Sequence, residues 1–565
     1  MLNHKIKIIF AITSLMYSNQ DGATYSKKGM VVSTSYEASI IGKDILEQGG
    51  NAIDAAVAVG FALAVTSPSN GNIGGGGFMV CRLPSGKSFS IDYREKAPEA
   101  SNEDMFLTSN KEVIPYMSLL SRAASGVPGT VDGLIRALND YGSGKYSLSD
   151  LIKPAINLAK NGFPLSIEEA EKLNYYRSSF SNNKASSNIF IKKNKTPWGK
   201  GDLLIQEDLS KTLKTISKKG RDGFYKGHVA KKIIKEMKKG LGKISLKDLE
   251  KYESKYRDVV KGSFLEYEVL SMAPPSSGGL ILIHMLNMLE TYDLKELELN
   301  SAEYIHLITE IEKRAYADRA EHFGDPDFWD VPKSQLLSKE YAASRTKDIS
   351  MLIAKPSNEV YAHDFNNNES DETCHYSIID SDGFSVSVTT TLNSNYGSCH
   401  VVKGAGFLLN NQMDDFSIKP GVPNLWGLVG NKANSIAPYK RPLSSMTPTI
   451  VLKNDSPFLI LGSPGGSKII TTVFQCLLNA TIFNMDVQEA VASARFHHQW
   501  KPDNVIFIEP VGFSQETIKK LESMGHIIKL YNDGAYIGEA NNIQVNDDGL
   551  IGSNDFRGET HSSGY

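Results

Sequence analysis

The pattern of apolar and polar positions divides the chain into stretches of different character. At the N-terminus Lys5 and Lys7 precede an apolar run, Ile8 to Tyr17, and then a polar stretch, Ser18 to Gly22. A basic end, an apolar stretch of about 7 to 15 residues and a polar exit predict a secretory signal, taken here as residues 1–25, and hence a periplasmic or secreted protein. The segment from Asn51 to Pro68 (NAIDAAVAVGFALAVTSP) is apolar on all sides, lies between Gly49-Gly50 and Pro68, and holds Asp54. It is too short and too interrupted for a membrane span and predicts a core helix of about fifteen residues. Gly74 to Gly77 follow; with no Lys-Ser/Thr after them they predict close backbone packing, not a phosphate loop. From Ser101 to about Ser350 the chain reads mainly helical, with solvated lysine faces such as His228 to Gly240. Lys355 to Glu372 (KPSNEVYAHDFNNNESDE) reads as a polar loop, and strand patterns begin at Thr373.

His375 to Asp380 and Phe384 to Thr391 carry β-formers on either side of Ser381-Asp382-Gly383. A three-residue hairpin loop closed by a left-handed glycine suits Gly383. In that register Asp380 pairs with Phe384, and, without a bulge, Thr373 falls opposite Thr391. Ser385, Ser387, Thr389 and Thr391 then share one face, which is either solvated or part of a site. A threonine that follows a cleavable loop becomes a nucleophile with its own base once its α-amine is freed. Thr391, facing it, is placed to hold that hydroxyl.

Apolar residues make up 41% of the 565 and charged residues 22%, a soluble globular balance that supports a sizeable core. With 61 Lys+Arg against 64 Asp+Glu there is no basic field to collect nucleic acid. The four cysteines show no metal or redox spacing and read as free thiols. His375, His400 and His497-His498 show no triad or metal pattern, and RFHHQW (495–500) reads as structural. No metal and no organic cofactor is expected.

Several further segments have plain readings when taken alone. Arg94 beside Asp92 and Glu95 reads as a surface ion pair, the acids of NNQMDDF as helix caps, and SPGGS as a tight turn. Together with GGNAIDAAVAVGFALAVT (49–66), NIGGGGFM (72–79), DYREKAP (92–98), PPSSGG (274–279), AYADRAEHFGDPDF (315–328), LNNQMDDFS (409–417), RPLSSMTPTIV (441–451) and GSPGGSKIITT (462–472), they make the chain resemble the γ-glutamyltranspeptidase family of N-terminal-nucleophile hydrolases from about Gly29 to Tyr565.

The resemblance implies an α+β fold, a four-layer αββα sandwich built by two segments of one precursor cut between Glu372 and Thr373. Segment 26–372 and segment 373–565 would then form a heterodimer. It implies hydrolysis of glutathione and related γ-glutamyl amides, with transfer to water or to an amino-acid or dipeptide acceptor. Thr373 is the implied nucleophile, with Thr391 beside it, and Gly465 and Gly466 form the implied oxyanion hole. Arg94, Ser444 and Ser445 are the implied clamp for the substrate α-carboxylate; Asp415, Gln412 and Asn393 are the implied holders of its α-ammonium. A related glutaryl or cephalosporin-type acylase is the alternative, and a non-catalytic binding protein of the same fold is a weaker one. Two departures stand out. Cys374 replaces a second threonine and is expected to point to the opposite strand face, where it is open to oxidation. Trp426 replaces a phenol on the loop Pro420 to Lys440, which resembles a lid.

Overall fold

The computed structural model describes residues 22–360 and 373–565. Residues 1–21 of the expected signal, and Glu372 at the expected cut, lie outside them. Thr24 and Tyr25, assigned to the end of the signal, pair with Gly552 and Ile551 in an edge strand.

The apolar segment forms a helix, Ala52–Thr66, with all fifteen residues buried. Its start is fixed by a capping box: Asn51 accepts from the Ile53 and Asp54 amides, and Asp54 accepts from the Asn51 amide at 3.0 Å. The glycines after it pack as expected. A Cβ on Gly75 would lie 2.1 Å from the Thr391 carbonyl oxygen, and one on Gly74 would lie 2.0 Å from that of Leu408. The third glycine opens the strand Gly76–Arg82.

Two seven-stranded sheets form the centre. One runs, edge to edge, through strands 24–26, 549–552, 543–546, 456–461, 449–453, 267–271 and 260–264. The other runs through 561–564, 30–33, 374–379, 385–391, 76–82, 88–92 and 255–257. Helices Tyr36–Glu47 and Ala52–Thr66 cover the outer face of the second sheet, and Gly278–Leu289 and Ile469–Thr481 cover that of the first, which gives the four layers of an αββα sandwich. Both sheets draw strands from either side of Thr373. The region 101–350, read as mainly helical, also contributes strands 255–257, 260–264 and 267–271.

The hairpin has the expected register. Cys374 pairs with Thr390 and Ile379 with Ser385, the Asp380 amide donates to the Phe384 carbonyl at 3.2 Å, and Gly383 has φ 81°. Its hydroxyl face is not solvated. Ser387 donates to the Leu461 carbonyl at 2.9 Å, and Thr389 lies 2.9 Å from His375 Nδ1, so the row faces the other sheet. Burial pushes His375 down to about 3, and it is neutral there.

Candidate active site

The strand Cys374–Ile379 starts at one end of this inter-sheet layer, which leaves Thr373 at the mouth of the sandwich. Thr373 lines two cavities at once. On one side is a narrow pocket of about 30 Å³, shared with Thr391, Asn393, Gln412, Asp415, Trp426, Ser444, Ser445, Gly466, Arg94 and Arg319. On the other is a groove of about 770 Å³, shared with Gly465, Cys374, Glu169 and Glu539. Every candidate site residue inside the described chain therefore borders one of the two, and Gly465 alone among them is on the groove side only.

The far end of the pocket holds its charges. Arg94 is 1% exposed, so the surface ion pair expected of it in isolation is not formed. Its guanidinium donates to the Asp415 carboxylate and to the carbonyls of Pro442 (3.3 Å) and Leu443 (3.0 Å). Asp92, the expected neighbour, instead pairs with Arg257 at 3.0 Å and Arg441 at 3.2 Å. Asp415 does not cap a helix either. It sits on the single turn Gln412–Asp415 and accepts from Gln412 Nε2 at 2.7 Å and Trp426 Nε1 at 2.8 Å. Its neighbour Asp414 turns away to Ser118 (2.6 Å) and the Leu425 amide (2.8 Å).

Because Gln412 spends its amide on Asp415, its Oε1 is left buried and without a hydrogen-bond partner among the described residues. An orphaned acceptor beside a carboxylate fits a ligand that donates several protons. Ser444 and Ser445 border the same end, though Arg94 itself reaches only the carbonyls just before them. The Ser445 hydroxyl is held by Arg319 Nη2 at 3.1 Å, and Arg319 Nε donates to Ser277 at 2.8 Å. Burial pushes Arg319 down to about 10, which leaves it charged at neutral pH.

Arg319 had no role in the reading of the sequence. It lies in AYADRAEHFGDPDF, three residues after Tyr316 on the helix Ala302–His322, and i, i+3 spacing puts the two on one face. Tyr316 OH donates to the Ser467 carbonyl at 2.5 Å, and so grips the glycine turn from behind. Glu95 was also unassigned. It is fully buried, with both carboxyl oxygens unpartnered among the described residues, 3.9 Å from Arg94, and burial pushes it up to about 8.

At the near end, the turn SPGGS runs straight into the helix Ile469–Thr481. Gly465 has φ 131° and Gly466 φ 52°, conformations that L side chains rarely adopt. A Cβ on Gly466 would lie 2.4 Å from Cε3 of Trp426. Trp426 thus lies against the turn, and its indole N–H is shared between Asp415 Oδ1 and Asn393 Oδ1 (2.7 Å). The loop Pro420 to Lys440 also contributes Asn434, whose amide donates to the Asp415 carbonyl at 2.7 Å. Thr391 Oγ1 accepts from the Asn393 amide at 2.9 Å.

Cys374 faces the groove and lies 3.1 Å from Thr34 Oγ1. Burial pushes its thiol up to about 12, so the reactive thiolate is suppressed and ready oxidation is not expected of it. The other three cysteines are likewise buried and free.

The arrangement offers a hydroxyl nucleophile, glycine amides beside it, and a cation and an anion at the far end, as acyl transfer from a zwitterionic acid requires. A family model described as Gamma-glutamyltranspeptidase matches residues 38–565. The glutathione hydrolase proenzyme of Escherichia coli (strain K12) is 46% identical over 533 residues, 94% of this chain and 91% of that protein. Among solved structures, the Helicobacter pylori gamma-glutamyltranspeptidase is 43% identical with a TM-score of 0.57, covering 61% of this chain and 96% of its own. The cephalosporin acylase from Bacillus halodurans has a TM-score of 0.84 over 97% of this chain and 98% of its own; at 24% identity that likeness is one of fold.

Proposed function

The chain belongs to the γ-glutamyltranspeptidase family, and from that premise we propose that it is a self-processing glutathione hydrolase and γ-glutamyltransferase with Thr373 as nucleophile. The precursor is exported and cuts itself between Glu372 and Thr373: Thr373 Oγ attacks the Glu372 carbonyl, the amide becomes an ester, and water releases it. Segments 26–372 and 373–565 stay together as a heterodimer, since both supply strands to each sheet.

In turnover the freed α-amine of Thr373 takes the hydroxyl proton as Oγ attacks the γ-carbonyl. The oxyanion lies at the Gly465 and Gly466 amides. Collapse expels the amine of the leaving peptide, which carries off that proton, and leaves a γ-glutamyl ester on Thr373. Water or an acceptor amine then attacks the ester and restores the hydroxyl. The acyl chain occupies the narrow pocket, with its α-carboxylate toward Arg94, Ser444 and Ser445 and its α-ammonium toward Asp415, Gln412 and Asn393. Arg94 and Asp415 neutralise each other, and a zwitterion exchanges that pair for two new ones with the charge of the site unchanged.

The observation that carries the reading is the far end of the pocket, where a buried arginine, a carboxylate and the orphaned Gln412 oxygen converge. A glutaryl side chain has no ammonium to occupy those acceptors, so the site favours γ-glutamyl over acylase substrates. The test is Thr373→Ala. We expect one uncut band and no hydrolysis of a γ-glutamyl anilide, against two segments beginning near residue 26 and at Thr373 for the wild type. Cut or active Thr373→Ala protein would overturn the assignment.

A further inference from the structure

The segment RFHHQW is buried, and the chemistry above uses none of it. Its side chains nonetheless connect two parts of the site. Gln499, 4% exposed, donates from Nε2 to the backbone carbonyl of Trp426 at 3.3 Å. Gln499 Oε1 lies 3.0 Å from His497 Nε2, and His497 Nδ1 lies 2.8 Å from Thr471 Oγ1, in the first turn of the helix that follows the oxyanion glycines.

The hydrogen-bond directions are forced. A carbonyl only accepts, so Gln499 must present its NH₂ to Trp426 and its oxygen to His497. His497 must then carry its proton on Nε2, and its bare Nδ1 accepts from the Thr471 hydroxyl at 2.8 Å, the shorter of the two contacts open to that proton, the other being the Lys468 carbonyl at 3.1 Å. Burial holds His497 far below its usual range, so it stays the neutral tautomer that the chain of bonds requires. The segment is itself clamped to that helix, because Gln475 donates to the Phe496 carbonyl at 2.7 Å and accepts from its amide at 3.2 Å.

We propose that Gln499, oriented by His497 and Thr471, is a positioning residue that fixes the lid's Trp426 over the acyl pocket in register with the oxyanion turn. The indole already lies on Gly466 from the pocket side and bonds Asn393 and Asp415. The Thr471–His497–Gln499 relay holds its backbone from the opposite side. Lid and oxyanion turn therefore move as one body, and the acyl pocket is closed by an element referenced to the same helix that presents the Gly466 amide.

The inference rests on the narrow pocket being the γ-glutamyl site, and its test separates the two. The full-length, self-processed protein is assayed with a neutral γ-glutamyl anilide as wild type, Gln499→Met, Trp426→Ala and the double variant. Methionine keeps the volume of Gln499 and removes both of its bonds. A merely structural residue would lower the yield of active protein or kcat. The relay predicts instead that Gln499→Met raises KM about five- to tenfold with kcat within twofold, and that the double variant has the KM of Trp426→Ala alone, because the effect passes through the lid. An unchanged KM in Gln499→Met, or effects that multiply in the double variant, would overturn it. If Gln499→Met does not yield folded protein, Thr471→Val makes the same comparison from the other end of the relay, since it keeps the shape and removes the hydroxyl that His497 Nδ1 accepts; a wild-type KM there rejects the relay. A wild type inactive on the anilide would strike at the γ-glutamyl reading itself.

Discussion

Arg94 shows how burial changes the meaning of a residue. In sequence it has acids on both sides; in the fold its guanidinium bonds Asp415 and two carbonyls through its planar fork, keeps Glu95 at 3.9 Å and leaves the Asp92 side chain to Arg257 and Arg441. Lysine keeps the charge but offers a point donor on a flexible stem. Arg94→Lys is therefore expected to raise KM for a γ-glutamyl anilide about 10- to 100-fold while self-cleavage persists, checked by steady-state kinetics and a gel of the same preparation. Gly466 is constrained differently. It has φ 52° and no room for a Cβ beneath Trp426. Gly466→Ala should lower kcat about 10²-fold, the scale of losing one oxyanion donor, as read by single-turnover acylation. Asp415 and the two glycines stand in long, specific motifs, and Thr373 stands where a polar loop gives way to a strand pattern, so each could be singled out as a candidate from the sequence. Arg319 and Glu95 stood in such motifs too, but nothing about a lone charged residue reveals that it will be buried.

Among the elements, the helix Ala52–Thr66 and the hairpin 374–391 are closest to what local pattern dictates. Both have boundaries set by local chemistry: a capping box at Asn51 and a left-handed glycine at 383. Asn51 also donates to the Tyr141 carbonyl at 2.8 Å, so the cap ties this helix to the end of its neighbour Thr130–Tyr141. Asn51→Ala should cost about 1 kcal/mol, seen as a lower urea midpoint with kcat per cleaved molecule unchanged. The turn Gln412–Asp415 and the lid could not be read locally. Their shape follows from what they bind: Asp414 faces Ser118 and Asp415 faces Arg94, residues some 300 positions away in sequence.

The whole molecule buries ionisable groups of both signs, and this sets its response to pH. Burial pushes His375, His498 and His526 down to about 3, so below their unfolded value of about 6.5 only the unfolded chain takes up their protons. Their contribution is complete above about 6.5 and is lost as pH falls toward 3, at roughly 1.4 kcal/mol per group per pH unit. Burial pushes Asp414 up to about 6, Glu169 to about 7 and Glu95 to about 8. These carboxyls stay protonated in the fold, so their contribution is complete below about 4.5 and is lost as pH rises toward 8. The two trends oppose each other between pH 4.5 and 6.5. Urea midpoints of the processed protein should therefore peak in that interval and fall on both sides. A midpoint that rises steadily from pH 5 to 8 would contradict this burial pattern.

The sequence by itself determined the family, the hairpin register that pairs Cys374 with Thr390, and the buried helix, because each depends on short-range periodicity or on contiguous motifs. Only the tertiary structure decided that the hydroxyl row faces a second sheet, that Arg94 pairs with Asp415, and that Arg319, Tyr316 and Gln499 back the site. Those outcomes depend on which surfaces meet when two sheets stack and bury polar groups. A buried donor or acceptor must then find its partner wherever in the chain one has been brought near.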